Sequence, residues 1–344
     1  MRAASYSSFG GPITVGDLPE PTCDRGDAVL EVRATGICRS DWHGWQGHDP
    51  DIVHFPHVPG HEFAGVVAEV GGDVAQWSPG DRVAVPFVSG CGRCGYCVAG
   101  QPQICPDQTQ PGFTHWGSFA ERVVVHNADF NLVRLPDSVD FETGALLGCM
   151  FSTAYRAVVD QGRTQAGEWV AIYGCGGVGV SAVMIAAALG AKPIGIDPRP
   201  EARALALDAG AALVFDPDEA RTSLPDLDGD GPHVTLDAVG APRVVADAVA
   251  SLRRGGRHVQ VGLLPGPASF GDVVASLVVA HELTIVGSHG IAPSGLAGVL
   301  ELTARGDLRP DRLIGRRVDL HGGVEVLTHL DDEPALGITV ITEF

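Results

Sequence analysis

Apolar and polar positions follow two different rhythms along the chain. Up to about residue 148 the apolar positions come in short β-branched runs, AVLEVRATG, HEFAGVVAEVG and GDRVAVPFV, punctuated by Gly, Pro and Asp. That is the pattern of half-buried strands in a compact, irregular β domain. From about 150 to 287 continuous apolar segments (EWVAIY, KPIGID, ALVF) alternate with Ala-rich stretches of helical character (VSAVMIAAALG, PEARALALDAG). Such alternation predicts βαβ units on a parallel sheet. Beyond it we expect a strand in HELTIVGS, a helix around SGLAGVLELTARG and a last strand in GITVITEF. The tail returns to the mixed character of the first region, so residues 1–149 and 288–344 are assigned to one discontinuous domain and 150–287 to another.

Composition narrows the function classes. With 344 residues, 45% hydrophobic and 19% charged, the chain can bury two cores and is not disordered. A formal net charge of −19 repels phosphate backbones and anionic membrane faces, which excludes nucleic acid as a partner. The opening MRAASYSSFG has no apolar signal core, and no run of about 18 apolar residues follows. The expectation is a soluble, cytoplasmic protein with no membrane partner. Eight cysteines in a reducing compartment point to metal ligation before disulfides.

Two motifs carry chemistry by their local context. Gly174-Cys175-Gly176-Gly177-Val178-Gly179 lies between the predicted strand EWVAIY and the helix VSAVMIAAALG, where glycines let a helix N-terminus approach a pyrophosphate. Asp197 follows 18 positions after Gly179, at the end of the next predicted strand. Its carboxylate can accept from the adenosine ribose hydroxyls and repels a 2′-phosphate, favouring NAD over NADP; Arg199, two residues on, leaves room for NADP. The rival reading of Asp197 is a helix cap. Cys91, Cys94, Cys97 and Cys105 have the spacing C-x2-C-x2-C-x7-C. Four thiolates in a Gly-rich loop (90–106) can close a tetrahedron around a structural Zn²⁺. An iron–sulfur cluster is the rival, although the ferredoxin spacings differ.

Three further segments, Gly36-Ile37-Cys38-Arg39-Ser40-Asp41-Trp42-His43, Pro59-Gly60-His61-Glu62 and Gly148-Cys149-Met150-Phe151-Ser152-Thr153, resemble the catalytic-zinc segments of the zinc-containing medium-chain alcohol dehydrogenases. The cysteine loop and the glycine loop stand in that family's order, so the resemblance spans nearly the whole chain. It implies an α/β and β architecture: a GroES-like irregular β catalytic domain plus a Rossmann domain with a doubly wound parallel sheet, the active site lying in the cleft between them. The short stretch from Cys105 to Cys149 is similar to the shorter microbial members, commonly homotetramers and sometimes homodimers.

On that resemblance Cys38, His61 and Cys149 are the ligands of a catalytic zinc with one open position, making two zinc ions per chain. Ser40 and His43 match the proton relay from the alcohol. Asp41 would orient the His61 ring, and Glu62 would serve as a transient ligand. Arg39 would meet the cofactor pyrophosphate, while Thr153, Val178 and Val261 border the nicotinamide. Phe87 matches a pocket position, with Trp45 and Trp116 as further pocket candidates. His48, His54 and His57 match no ligand position and read as loop residues, and Cys175 reads as a small packed side chain. The implied reaction is hydride transfer between NAD(H) and an alcohol, aldehyde or ketone, with bulky or aromatic substrates admitted. Formaldehyde-active relatives share the ligands. Polyol dehydrogenases usually carry a glutamate where Cys149 stands, zinc-free quinone reductases lack the ligands, and a non-catalytic relative such as a lens crystallin has no need of a complete set.

Overall fold

The computed structural model describes residues 1–264, 275–331 and 336–344. The chain divides into two compact units, Met1–Ser152 with Gly290–Phe344, and Thr153–His289.

The first unit is organised on strand Ala28–Gly36, which is buried along most of its length. It pairs antiparallel with Phe63–Val70, Arg122–Val125 and the C-terminal strand Ile338–Glu343. Three distant parts of the sequence therefore meet on one strand, and the pair Val340↔Gly36 fixes the tail beside the chain that leads into Cys38. Leu30, Val32, Phe63, Val67, Val83 and Val123 form the core under this sheet. Emptying such a position, for example by Phe63→Ala, costs about 3–5 kcal/mol. The run GDRVAVPFV makes a strand only over Arg82–Ala84. Pro86 has no N–H to carry the ladder further, and Val85–Val88 continues as buried irregular chain.

The second unit holds six parallel strands in the order Leu213–Phe215, Lys192–Ile196, Trp169–Tyr173, Val234–Asp237, Arg257–Gln260, Thr284–Gly287. In chain order this is 3-2-1-4-5-6, the doubly wound arrangement that binds dinucleotides where the strand order reverses. Helix Gly177–Ala188 follows the first strand and is apolar around most of its surface, with Val180, Val183 and Ile185 buried. An all-round apolar helix is one covered by protein rather than by water. The predicted helix in the tail forms at Pro293–Ala304 and the last strand at Ile338–Glu343. No helix among the described residues is long and apolar enough to cross a membrane.

Candidate metal centres and active site

Cys38 is the N-cap of helix Arg39–Trp45, His61 lies two residues before the start of strand Phe63–Val70, and Cys149 precedes helix Met150–Tyr155. Pairing of Ala28–Gly36 with Phe63–Val70 brings the first two together, since Gly36 N donates to Glu62 O at 2.7 Å. The ligand atoms of Cys38, His61 and Cys149 lie within 4.8 Å of one another, and all three residues are buried. Asp41, at the third position of the helix, holds the group. Its Oδ1 accepts from His61 Nδ1 at 2.8 Å and Gly60 N at 3.1 Å, and its Oδ2 accepts from Cys38 N at 2.9 Å. With Nδ1 engaged, Nε2 is the ring atom left toward the thiols; it is buried and has no hydrogen-bond partner. A buried polar atom left unpaired costs about 1–3 kcal/mol, a penalty that a bound cation removes.

The charges suit a metal. Contact with Cys149 is the main influence holding the Cys38 thiol well below its ordinary range, against burial and with help from His61. For His61, burial opposes the charged ring, but Asp41 and Cys38 override it and raise the ring well above the imidazole range, so a cation bound among these groups takes the place of the Nε2 proton. Glu62 is fully buried. Burial, then the charge of Cys38, pushes its carboxyl well above the usual carboxylate range. Its Oε1 accepts from Met150 N at 2.7 Å and Cys149 N at 3.3 Å, while Oε2 has no partner. The Phe87 ring stands 5.8 Å from the His61 ring. Phe113, which no motif singled out, stands 5.1 Å away and is also buried. Two thiols and an imidazole, deprotonated on binding, are a fitting donor set for Zn²⁺, with one tetrahedral position left for another ligand.

The cysteine loop presents the other set. Cys91, Cys94, Cys97 and Cys105 have their sulfurs within 4.8 Å of one another, with Cys91 Sγ to Cys97 Sγ at 4.0 Å and Cys94 Sγ to Cys105 Sγ at 3.7 Å. Tetrahedral Zn–S bonds of about 2.3 Å put sulfurs about 3.8 Å apart, close to these two separations. Backbone N–H groups of Arg93 and Cys94 hold the Cys91 thiol down to about 6, favouring the thiolate. The four sulfurs leave no position for substrate.

Around the first set, Ser40 lies half-buried in the first turn of helix Arg39–Trp45. His43 lies half-buried in its last turn, and its Nδ1 is 3.0 Å from Nδ1 of His48. His48 is a loop residue, as read from the sequence, but its contact with His43 was not legible in any ligand spacing. His57 is buried, with its Nε2 2.8 Å from Gly112 O. Arg39 is exposed, paired with Asp331 at 3.0 Å and stacked over Trp42. Trp45 is buried and donates to Gly11 O; Trp116 donates to Pro56 O and packs on the cluster of Val58 and Phe119.

In the second unit the glycine loop follows strand Trp169–Tyr173. Gly174 sits at φ +88°, a conformation other residues rarely adopt. A Cβ on Gly179 would overlap the Gly174 carbonyl oxygen, so the turn admits only hydrogen there. Gly176 is the N-cap of helix Gly177–Ala188 and a Cβ on it would meet nothing within 4 Å, leaving the helix N-terminus open. Gly177 and Val178 form its first turn. Asp197 is buried. Its Oδ2 accepts from Cys175 N at 2.9 Å and its Oδ1 from Arg199 N at 2.9 Å, so it braces the glycine loop; the N-cap of the next helix is Arg199. Cys175 is packed, and burial pushes its thiol up to about 12, which suits a packing role. Val261 N donates to Asp237 O at 3.0 Å at the end of the fifth strand, and the buried Thr153 hydroxyl has no partner.

Residues 24–137 match the alcohol dehydrogenase GroES-like domain and residues 177–305 the zinc-binding dehydrogenase family. The chain is 35% identical to an alcohol dehydrogenase of Geobacillus stearothermophilus over 90% of each chain. It is 30% identical to an NAD-dependent alcohol dehydrogenase of Sulfurisphaera tokodaii over 99% of each. An alcohol dehydrogenase structure from Thermus sp. ATN1 superposes with a TM-score of 0.90 at 31% identity, covering both chains entirely. A chain so similar along its length, with a buried Cys-His-Cys set where that family's zinc segments fall, belongs to the zinc-containing medium-chain alcohol dehydrogenases, zinc-dependent oxidoreductases of small alcohols and aldehydes.

Proposed function

We propose that this chain catalyses NAD⁺-linked oxidation of a small alcohol to its aldehyde or ketone, and the reverse. Cys38, His61 and Cys149 are the residues that hold the catalytic zinc, and Cys91, Cys94, Cys97 and Cys105 those that hold the structural one. The observation that carries the reading is the orphaned, buried Nε2 of His61, within 4.8 Å of two thiols and with Asp41 holding the other ring nitrogen. When bound, zinc supplies Lewis acidity that lowers the pKa of an alcohol hydroxyl, and NAD⁺ supplies the hydride acceptor. The remaining work falls to the chain. Ser40 Oγ accepts the hydroxyl proton's hydrogen bond and His43 takes the proton outward on its ring. Phe87 and Phe113 give the wall beside His61 an apolar character that selects the alkyl or aryl part of the substrate. The open N-terminus of helix Gly177–Ala188 receives the pyrophosphate, Asp197 the ribose, and Thr153, Val178 and Val261 the nicotinamide. Arg39 exchanges its exposed pairing with Asp331 for the pyrophosphate. The resemblance to the shorter microbial members supports a homotetramer or homodimer, which sedimentation would distinguish.

The test is a panel of primary, secondary and aromatic alcohols with NAD⁺ and with NADP⁺, followed by the absorbance of the reduced nicotinamide, alongside zinc analysis. Turnover with NAD⁺ and two zinc ions per chain is expected. A folded, zinc-loaded protein that oxidises none of the alcohols with either cofactor would overturn the reading.

A further inference from the structure

Helix Arg39–Trp45 ends in a specific way. Gln46 is its C-cap and Gly47, at φ +81°, reverses the chain. Gly47 N donates to Gly44 O at 3.0 Å, and His48 N to His43 O at 2.9 Å. These are the two bonds of a Schellman motif, which sets the second residue past the cap against the residues of the last turn. That contact is ordinarily apolar. Here it is made by imidazoles: His48 Nδ1 lies 3.0 Å from His43 Nδ1, and both rings stand edge-on to Trp42, at 5.1 Å for His43 and 5.8 Å for His48. His43 is half-buried and His48 is exposed, so the pair runs from a partly covered ring to the surface.

We infer that His48 is the outer station of the proton path, a positioning residue that fixes the His43 ring and carries its proton to water. The inference rests on the relay proposed for His43. The transfer balances without a co-reactant: a proton arrives at His43 Nε2, the Nδ1 proton crosses to His48 Nδ1, and the proton on His48 Nε2 passes to solvent. Between Nδ1 atoms one ring must donate and the other accept, so the pair holds one shared proton when both rings are neutral. The groups facing His43 are His48, Arg39, Cys38 and Asp331. Burial first, then the charges of His48 and Arg39, lower its pKa, which keeps it a ready acceptor near neutral pH.

The test uses His48→Leu, which restores the apolar contact usual at this position and preserves the helix end while removing the proton carrier. Single-turnover rates of NADH formation are measured against pH in the zinc-loaded enzyme, since these exclude product release. We expect unchanged zinc content and melting temperature. We also expect a rate reduced about 3- to 10-fold at pH 6, at or below the low end of general-base effects because water can bypass a conducting relay. The loss should fade at high pH, and added imidazole should rescue it. Histidine-labelled NMR gives a readout independent of turnover: without the His48 charge, the His43 ring should titrate at higher pH. The double variant His43→Gln/His48→Leu should be no slower than His43→Gln. A pH profile parallel to wild type, an unmoved His43 titration or a multiplicative double variant overturns the role of His48. If His43→Gln itself matches wild type at every pH, the relay falls and this inference with it.

Discussion

Asp41→Asn changes one oxygen to an amide inside a fully buried site, and the structure sets the size of the effect. The carboxylate accepts from three donors: His61 Nδ1, Gly60 N and Cys38 N. An asparagine placed with its oxygen at the Oδ1 position keeps the first two. Its NH₂ group then faces the Cys38 N–H, and two buried donors are left without acceptors. The opposite rotamer turns the NH₂ toward both His61 and Gly60 and is worse. At about 1–3 kcal/mol for each unpaired buried group, the folded state loses about 2–6 kcal/mol before relaxation. The same substitution removes the negative charge that steadies His61, and loss of such a partner weakens metal affinity about 10- to 100-fold.

Two measurements separate these effects. Urea unfolding of zinc-loaded Asp41→Asn and wild type reports the stability difference, and competition with a chelator reports zinc affinity. Chelator competition should extract the catalytic zinc from the variant at a concentration at least tenfold lower, while the zinc of the cysteine loop stays. Equal extraction curves, with a stability change below about 0.5 kcal/mol, would mean that Asp41 does not organise the site.

Other outcomes follow from the same geometry. Dialysed wild type should retain two zinc ions per chain, and Cys105→Ser should lose one of them while keeping the other; a single zinc in fully active wild type would remove the structural assignment. Cys149→Ala should abolish turnover yet leave NADH fluorescence titrations close to wild type, and appreciable residual activity would sink the catalytic-zinc assignment. Asp197→Gly should reduce kcat/KM with NAD⁺ more than with NADP⁺, because it removes both an acceptor and the charge that repels a 2′-phosphate; an unchanged ratio would confine Asp197 to bracing the loop through Cys175 N and Arg199 N. His115 should make the fold acid-sensitive. Burial, then His126, depresses its ring to about 4, below the unfolded value, so its contribution is complete above about pH 6.5 and is lost as pH falls through about 4. That lowering corresponds to about 3 kcal/mol, and His115→Gln should flatten that part of the stability profile.

What could be read from the sequence divides by range of interaction. The cysteine loop is legible in 15 residues because all four ligands sit on one short segment, and the glycine loop because its constraint is a single turn. The strand runs AVLEVRATG and GITVITEF are visible in their patterning, but only the register Val340↔Gly36 shows that they are neighbours. The site of Cys38, His61 and Cys149 depends on that kind of long-range pairing, and without the resemblance no spacing rule would have joined the three. Phe113 left no signal because its meeting with His61 is decided by a loop that carries no periodicity. Pro86 was a missed signal of the opposite kind: it stands in plain view inside GDRVAVPFV and ends the strand at Ala84.

His48 lies between these cases. Ligand spacing gives it no role, and loop placement alone gives it none either. Yet Gly47, just past a short helix, is the residue expected at the left-handed position of a helix C-terminus, and such a cap brings the next residue back against the last turn. The sequence therefore contained the His43–His48 contact in the form of a capping rule rather than a catalytic motif. What it could not contain is the exposure of one ring and the partial burial of the other, which turns a helix stop into a route for a proton.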